Sequence, residues 1–131
     1  MAGLSDTYEN RVLDWLTNTG TPTRPAGPWL ALYTATPTDS TAGTEVANAN
    51  GYARTAFTAA AAAGGATSNS ATITFPTATG AWGTITHWAQ VDSATHGAGN
   101  IVIYGAFTAS KTIAASDVFE ILAGELDYTA D

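Results

Sequence analysis

The sequence predicts a mainly β chain: a single antiparallel β-sandwich, jelly-roll-like, with one short helix at its amino end. Two patterns lead there. About seven short segments rich in apolar, aromatic and Thr residues recur at fairly regular spacing, with turn chemistry between them. Near the amino end, and there only, apolar residues fall at helical spacing. Composition agrees, since charged residues make up 11% of the 131 while hydrophobic residues reach 45%, with 4 Trp, 5 Tyr and 4 Phe. Disorder does not fit such a chain, which has aromatic surface to bury. With so little charge, solubility falls to Thr and Ser hydroxyls, or surface is hidden in an assembly. The length suits one domain and one core, residues 1–131, divided into a helical docking element (1–20) and strands (29–131).

The elements follow in order. Asp6 can cap a helix and Glu9, three residues on, completes a capping-box pattern. Tyr8, Val12, Trp15 and Leu16 then form one apolar stripe, Gly20 supplies a stop, and Pro22, Pro25 and Pro28 prevent resumption. A helix of about three turns is marginal alone, so its stripe must dock on something. Trp29 to Thr34 is a strand with large residues on both faces, hence internal. Residues 35–50, rich in Thr, Pro, Asp, Ser, Gly and Asn, form a loop long enough to suspect of function and are expected to face outward as a contact surface. Tyr52 to Phe57 alternates as a second strand. Ala59 to Gly65 reads as a loop despite its alanines, because it has no apolar period and ends in Gly64-Gly65.

Ala71 to Phe75 is a third strand, closed by Pro76. Gly83 to Val91 places Ile85, His87, Ala89 and Val91 on one face and Thr86, Trp88 and Gln90 on the other. Ser93 to Asn100 turns the chain. Ile101 to Ala109 is the most apolar strand and is expected to be central. Val118 to Leu122 and Glu125 to Thr129, around Ala123-Gly124, read as a closing hairpin or bent pair.

Charge narrows the partners. The chain has 4 Lys+Arg against 11 Asp+Glu, a net charge of −7, so it is poorly suited to nucleic acid or anionic membrane surfaces. No apolar run approaches the length of a membrane span and no secretory leader is read, so synthesis in the cytoplasm is expected. With no Cys, a disulfide scaffold, a thiolate metal site and a cysteine nucleophile are excluded.

Little points to catalysis. His87 lies in a strand and reads as a packing residue; His96 sits in a Gly-rich turn and reads as solvated. The carboxylates show no informative spacing, no calcium-loop spacing surrounds Asp39 or Asp92, and Gly97-Ala98-Gly99 lacks the helix and basic residue of a phosphate loop. The expectation is no catalytic residue, no cofactor and no metal site. Aromatic placement is more informative, because Trp and Tyr are enriched at interfaces as well as in cores. The candidate interface residues are the stripe Tyr8, Val12, Trp15 and Leu16, with Trp82, framed by Gly80, Ala81 and Gly83, as a second, exposed anchor.

Several blocks also carry a resemblance: Leu4 to Asn10, Trp29 to Pro37, Gly43 to Val46, Gly51 to Arg54, Thr74 to Ala78, Trp82 to Ala89, Tyr104 to Thr108 and Ala123 to Leu126. In this order they resemble small virion proteins of tailed bacteriophages, usually described as tail fibre or minor tail proteins. The alanine tract 59–63 departs from that pattern. The resemblance implies a non-enzymatic virion protein whose partners are copies of itself (a homo-oligomer), other tail or capsid proteins, and, on one reading, a host-surface glycan or protein. No heptad run or β-helical repeat is present to build a shaft. A capsid decoration (cement) protein is one alternative, and a small glycan-binding or glycan-cleaving module another. Cleavage would need a carboxylate pair about 5–10 Å apart in a cleft.

Overall fold

A computed structural model describes residues 3–130; Met1, Ala2 and Asp131 lie outside the described residues. Its elements are β1 (Gly3–Leu4), α1 (Asp6–Leu16), β2 (Trp29–Ala35), β3 (Thr44–Glu45), β4 (Thr55–Ala56), β5 (Ala66–Ser68), β6 (Ile73–Thr74), β7 (Gly83–Val91), β8 (Ile101–Ile113), β9 (Glu120–Ile121) and β10 (Asp127–Thr129). All ladders are antiparallel. The main sheet runs β1-β8-β7-β2-β3, with β4 also on β2. Both β3 and β4 lie along the outer edge of β2, one at each end. Two further ladders, β5–β10 and β6–β9, supply a second layer.

Alternation along β2 explains why it is internal. Leu30 and Leu32 point into the main core with Ile85, Trp88, Ile103 and Ile113 of the neighbouring strands. From the second layer come Ile73, Phe75, Phe119, Ile121 and Leu126. Ala31 and Tyr33 point the other way, onto a smaller cluster with Ala89 and Val91. Both faces being covered, the arrangement is the mainly β, sandwich-like fold that the alternating segments predict.

Several local expectations change. Helix α1 has Ser5, not Asp6, at its N-cap, and no side chain caps it. The Ser5 hydroxyl instead donates to the Ile101 carbonyl, and its N–H donates to Val102, so the sheet fixes how the chain enters the helix. Gly20 is not the stop. Asn18 adopts φ +55, Thr19 N–H donates to Asp14 O and Asn18 N–H to Trp15 O, a Schellman closure two residues upstream of Gly20. The closing hairpin does not form: β9 pairs with β6 and β10 with β5. Strand β8 is central only at its start, where β1 covers Ile103 and Tyr104; beyond them its Thr, Ala and Ser residues lie exposed. Within 35–50 the chain adds β3 to the main sheet. The alanine tract forms one arm of a tight turn, in which Ala63 and Ala66 exchange hydrogen bonds across Gly64-Gly65, both at positive φ.

Candidate functional site

The predicted docking stripe divides. Tyr8 faces inward and is buried. Its hydroxyl donates to Asp92 Oδ2 at 2.7 Å and accepts from Arg11 Nη1 at 3.0 Å, while the guanidinium lies 4.6 Å over its ring. Burial foremost, then the bond to Asp92, pushes the Tyr8 hydroxyl up to about 12. Tyr8 therefore pins the helix to the start of the Asp92–Asn100 loop. The other three stripe residues follow Tyr8 along the same side of the helix, one and two turns further on, and are left uncovered there: Val12 is 41%, Trp15 72% and Leu16 65% exposed, and Leu13 joins them at 58%. A shallow cleft of about 210 Å³ separates this face from the following segment, lined by Val12, Trp15, Pro22 and Pro25 with Arg11 and Arg24 at its edge. Contiguous exposed apolar surface of this kind marks an interaction site more often than scattered single residues do.

Trp82 is not an exposed anchor. It is 6% exposed, packs edge-on against Tyr52 with ring centroids 5.4 Å apart, and donates its indole N–H to Asn50 O at 2.8 Å. The small residues around it let the chain turn its ring into the core rather than display it.

A buried polar cluster, absent from the sequence reading, secures the long loop. Arg54 grips Glu45 through two hydrogen bonds and spends its remaining Nη1 on the carbonyls of Ser93 and Ala98, each at 2.8 Å. Tyr52 donates its hydroxyl to Glu45 Oε1 at 2.9 Å and accepts the Leu32 N–H. Burial, with Glu45 nearby, pushes the Tyr52 and Tyr33 hydroxyls up. Burial opposes the charge on Arg54, but its bonds to Glu45 outweigh that and hold the guanidinium above its ordinary value. His96, expected to be merely solvated, is half-buried: Nε2–H donates to Val46 O at 2.8 Å, and the ring meets Tyr52 edge-on. The Asp39 carboxylate accepts from the Tyr104 hydroxyl, and Thr38 bonds Thr41. The loop 35–50 is thus tied down at both ends, with residues such as Ser40–Ala42 and Ala47–Asn50 left exposed.

On the main-core side, a groove of about 850 Å³ opens between β8 and the β9–β10 segment. Phe107, Phe119 and Ile121 line it together with Trp88, whose ring stacks on Tyr128 at 5.6 Å. Glu120, Glu125 and Asp127 also line it. A Cβ on Gly105 would lie 2.8 Å from the Trp88 ring, so only glycine admits the indole there. Among the described residues no three His, Asp or Glu side chains gather as a metal site, and no helix is long and apolar enough to cross a membrane.

No curated protein matches this sequence. The family model described as podophage GP4 fiber I protein gp80 matches residues 3–129. The match covers nearly the whole chain, and the protein belongs to that phage fibre family.

Proposed function

We propose that this protein is a non-enzymatic structural component of a phage tail fibre, located in the virion and held there by contacts with copies of itself and with other virion proteins. The observation that carries this reading is the exposed apolar surface of the second half of α1. Val12, Leu13, Trp15 and Leu16 together present apolar surface that the chain leaves uncovered. Burying such side chains is worth about 1.5–3 kcal/mol each, so a partner there gains substantially. Trp at the centre of a patch is the residue type that dominates binding energy. Membership of a fibre family favours the tail over the capsid exterior, and a structural role over glycan cleavage. Outward-facing parts of the 35–50 loop are the surface left for a host glycan or protein.

Gold-labelled antibody on intact virions tests the position: label confined to the tail is expected, and label spread over the head would overturn the reading. Trp15→Asp tests the contact. The variant should fold normally yet fail to enter particles; incorporation at the normal level would remove the helix face from the assembly.

A further inference from the structure

A cavity of about 360 Å³ lies over the smaller apolar cluster, between the 35–50 loop and the turn that leads to Asn100. Its size is at the lower end of the range of about 300–1,000 Å³ usual for small-ligand pockets. Val91 and Ile101 give it an apolar floor. Of its ionisable lining, Glu45 and Arg54 pair with each other and cancel, and His96 commits its Nε2–H to Val46 O. Tyr33 singles this cavity out. The chain has 5 Tyr, and the hydroxyls of Tyr8, Tyr52, Tyr104 and Tyr128 each bond a side chain, on Asp92, Glu45, Asp39 and Gln90. Tyr33 is just 2% exposed, yet among the described residues its hydroxyl bonds to none. Every fully buried side-chain polar atom among those residues does have a partner, so the little surface that Tyr33 shows includes its hydroxyl, and that surface lines the cavity.

We propose that this cavity binds a neutral sugar unit of a glycan, with the Tyr33 hydroxyl bonded to a hydroxyl of the sugar. This rests on the reading that the 35–50 loop faces a host glycan, and adds where the contact lies. The paired charges argue for a neutral ligand: an anion would meet Glu45 and a cation would meet Arg54. Both partners nevertheless keep hydrogen-bonding capacity. Glu45 Oε2 accepts from Arg54 Nη2, while His96 Nε2, 3.8 Å away, is too distant for a bond. The guanidinium has one N–H unspent, on Nη2, after its bonds to Glu45, Ser93 and Ala98. Sugar hydroxyls both donate and accept, so they suit this mixture, and the C–H face of a sugar ring suits Val91 and Ile101. Arg54 fixes the walls before any ligand arrives, by holding the Ser93 and Ala98 carbonyls, which lowers the ordering cost of binding. Exposed lining residues such as Ala42 and Gly97 leave the cavity open to the surface, so a glycan chain can continue outward from the bound unit.

The test titrates isotope-labelled full-length chain with the methyl glycosides of glucose, galactose, mannose, rhamnose and N-acetylglucosamine, and follows the amide NMR signals. At least one glycoside should shift Thr44, Gly97, Ala98 and Asn100 along a saturable curve. Tyr33→Phe removes a hydroxyl that the fold does not use, so this variant should keep the wild-type circular dichroism and unfolding curve. It should bind the same glycoside about fivefold more weakly, the effect of losing one neutral hydrogen bond. Binding by Tyr33→Phe at wild-type strength would overturn the assignment. Saturable shifts confined to Ala47–Asn50 would overturn the cavity while leaving the glycan reading of the loop standing. No saturable shift of wild type with any of these glycosides would overturn the sugar site, and the place of the protein in the virion would still be decided by the gold label.

Discussion

The Arg54 guanidinium meets the Glu45 carboxylate edge to edge, Nε to Oε1 at 2.8 Å and Nη2 to Oε2 at 2.9 Å, with the two side chains only 4% and 10% exposed. Glu45 ends β3 within the long loop and Arg54 leads into β4, so the pair ties the loop back to the sheet. The two carbonyls that Arg54 also holds, from Ser93 and Ala98, bring the second loop to the same point. Removing one partner leaves the other charge buried and unpaired. Glu45→Ala and Arg54→Ala should each cost about 3–5 kcal/mol in urea unfolding. Arg54→Lys should recover only part of this, because an ammonium cannot reproduce the planar fork and reach both carbonyls.

Two tryptophans should behave oppositely. Trp82→Ala empties a core site and loses the bond to Asn50 O, so it should cost about 3–5 kcal/mol. Trp15→Ala removes a ring that is 72% exposed and should leave monomer stability within about 0.5 kcal/mol. Thermal and urea unfolding of the two variants under the same conditions separates them. A large loss from Trp15→Ala would make that ring part of the fold.

Asn69 is a buried hub. Its Nδ2 donates to the carbonyls of Ala71 and Leu122, and its Oδ1 accepts the Leu126 N–H. Its own carbonyl accepts from Gly124. Asn69→Leu should orphan three backbone groups at about 1–3 kcal/mol each before any relaxation or water entry. Hydrogen exchange should speed up at Leu126 in this variant; unchanged protection there would mean that the Asn69 side chain is dispensable.

Acid should loosen the attachment of α1. Burial pushes the Asp92 carboxyl up, but the Asn100 N–H, the Tyr8 hydroxyl and the Asn100 side chain together hold it below its ordinary value. A lowered carboxyl contributes stability above its unfolded pKa of about 3.9 and loses it as pH falls through the folded value. The stability gap between wild type and Asp92→Asn should be widest near neutrality and close in acid. At the other end, Tyr8 is raised to about 12, so its contribution is complete below about 10 and disappears as pH rises through 12. Tyr8→Phe should lack that alkaline loss, which unfolding curves across the range would reveal.

Local pattern was enough to locate α1 and the seven strands predicted from the chain, because an apolar period and the turn residues that interrupt it lie within a few neighbours of each other. The two-faced run Trp29–Ala35 could be read as an internal strand for that reason. The division of Gly83–Val91 by alternate residues holds only in part: a register shift between Ile85 and His87 puts Ile85 in the main core beside Trp88, while Ala89 and Val91 pack on the opposite face. β1, β3 and β5 lie outside any alternating apolar segment and so escape the pattern, and the pattern carries no information on which strand β9 or β10 pairs with. Their pairing depends on which distant segment the core brings alongside. The same holds for the aromatic residues: Trp15 in an apolar stripe and Trp82 between glycines look equally available in the sequence. Burial is a property of what lies opposite a side chain, and Tyr52 and Asn50, thirty or more residues away along the chain, help take Trp82 into the core. Residue order alone thus determined the alternating β pattern and an apolar helical stripe. The tertiary structure decided that most of this stripe stays uncovered, that Glu45 and Arg54 close the long loop, and that an acidic groove opens beside β8.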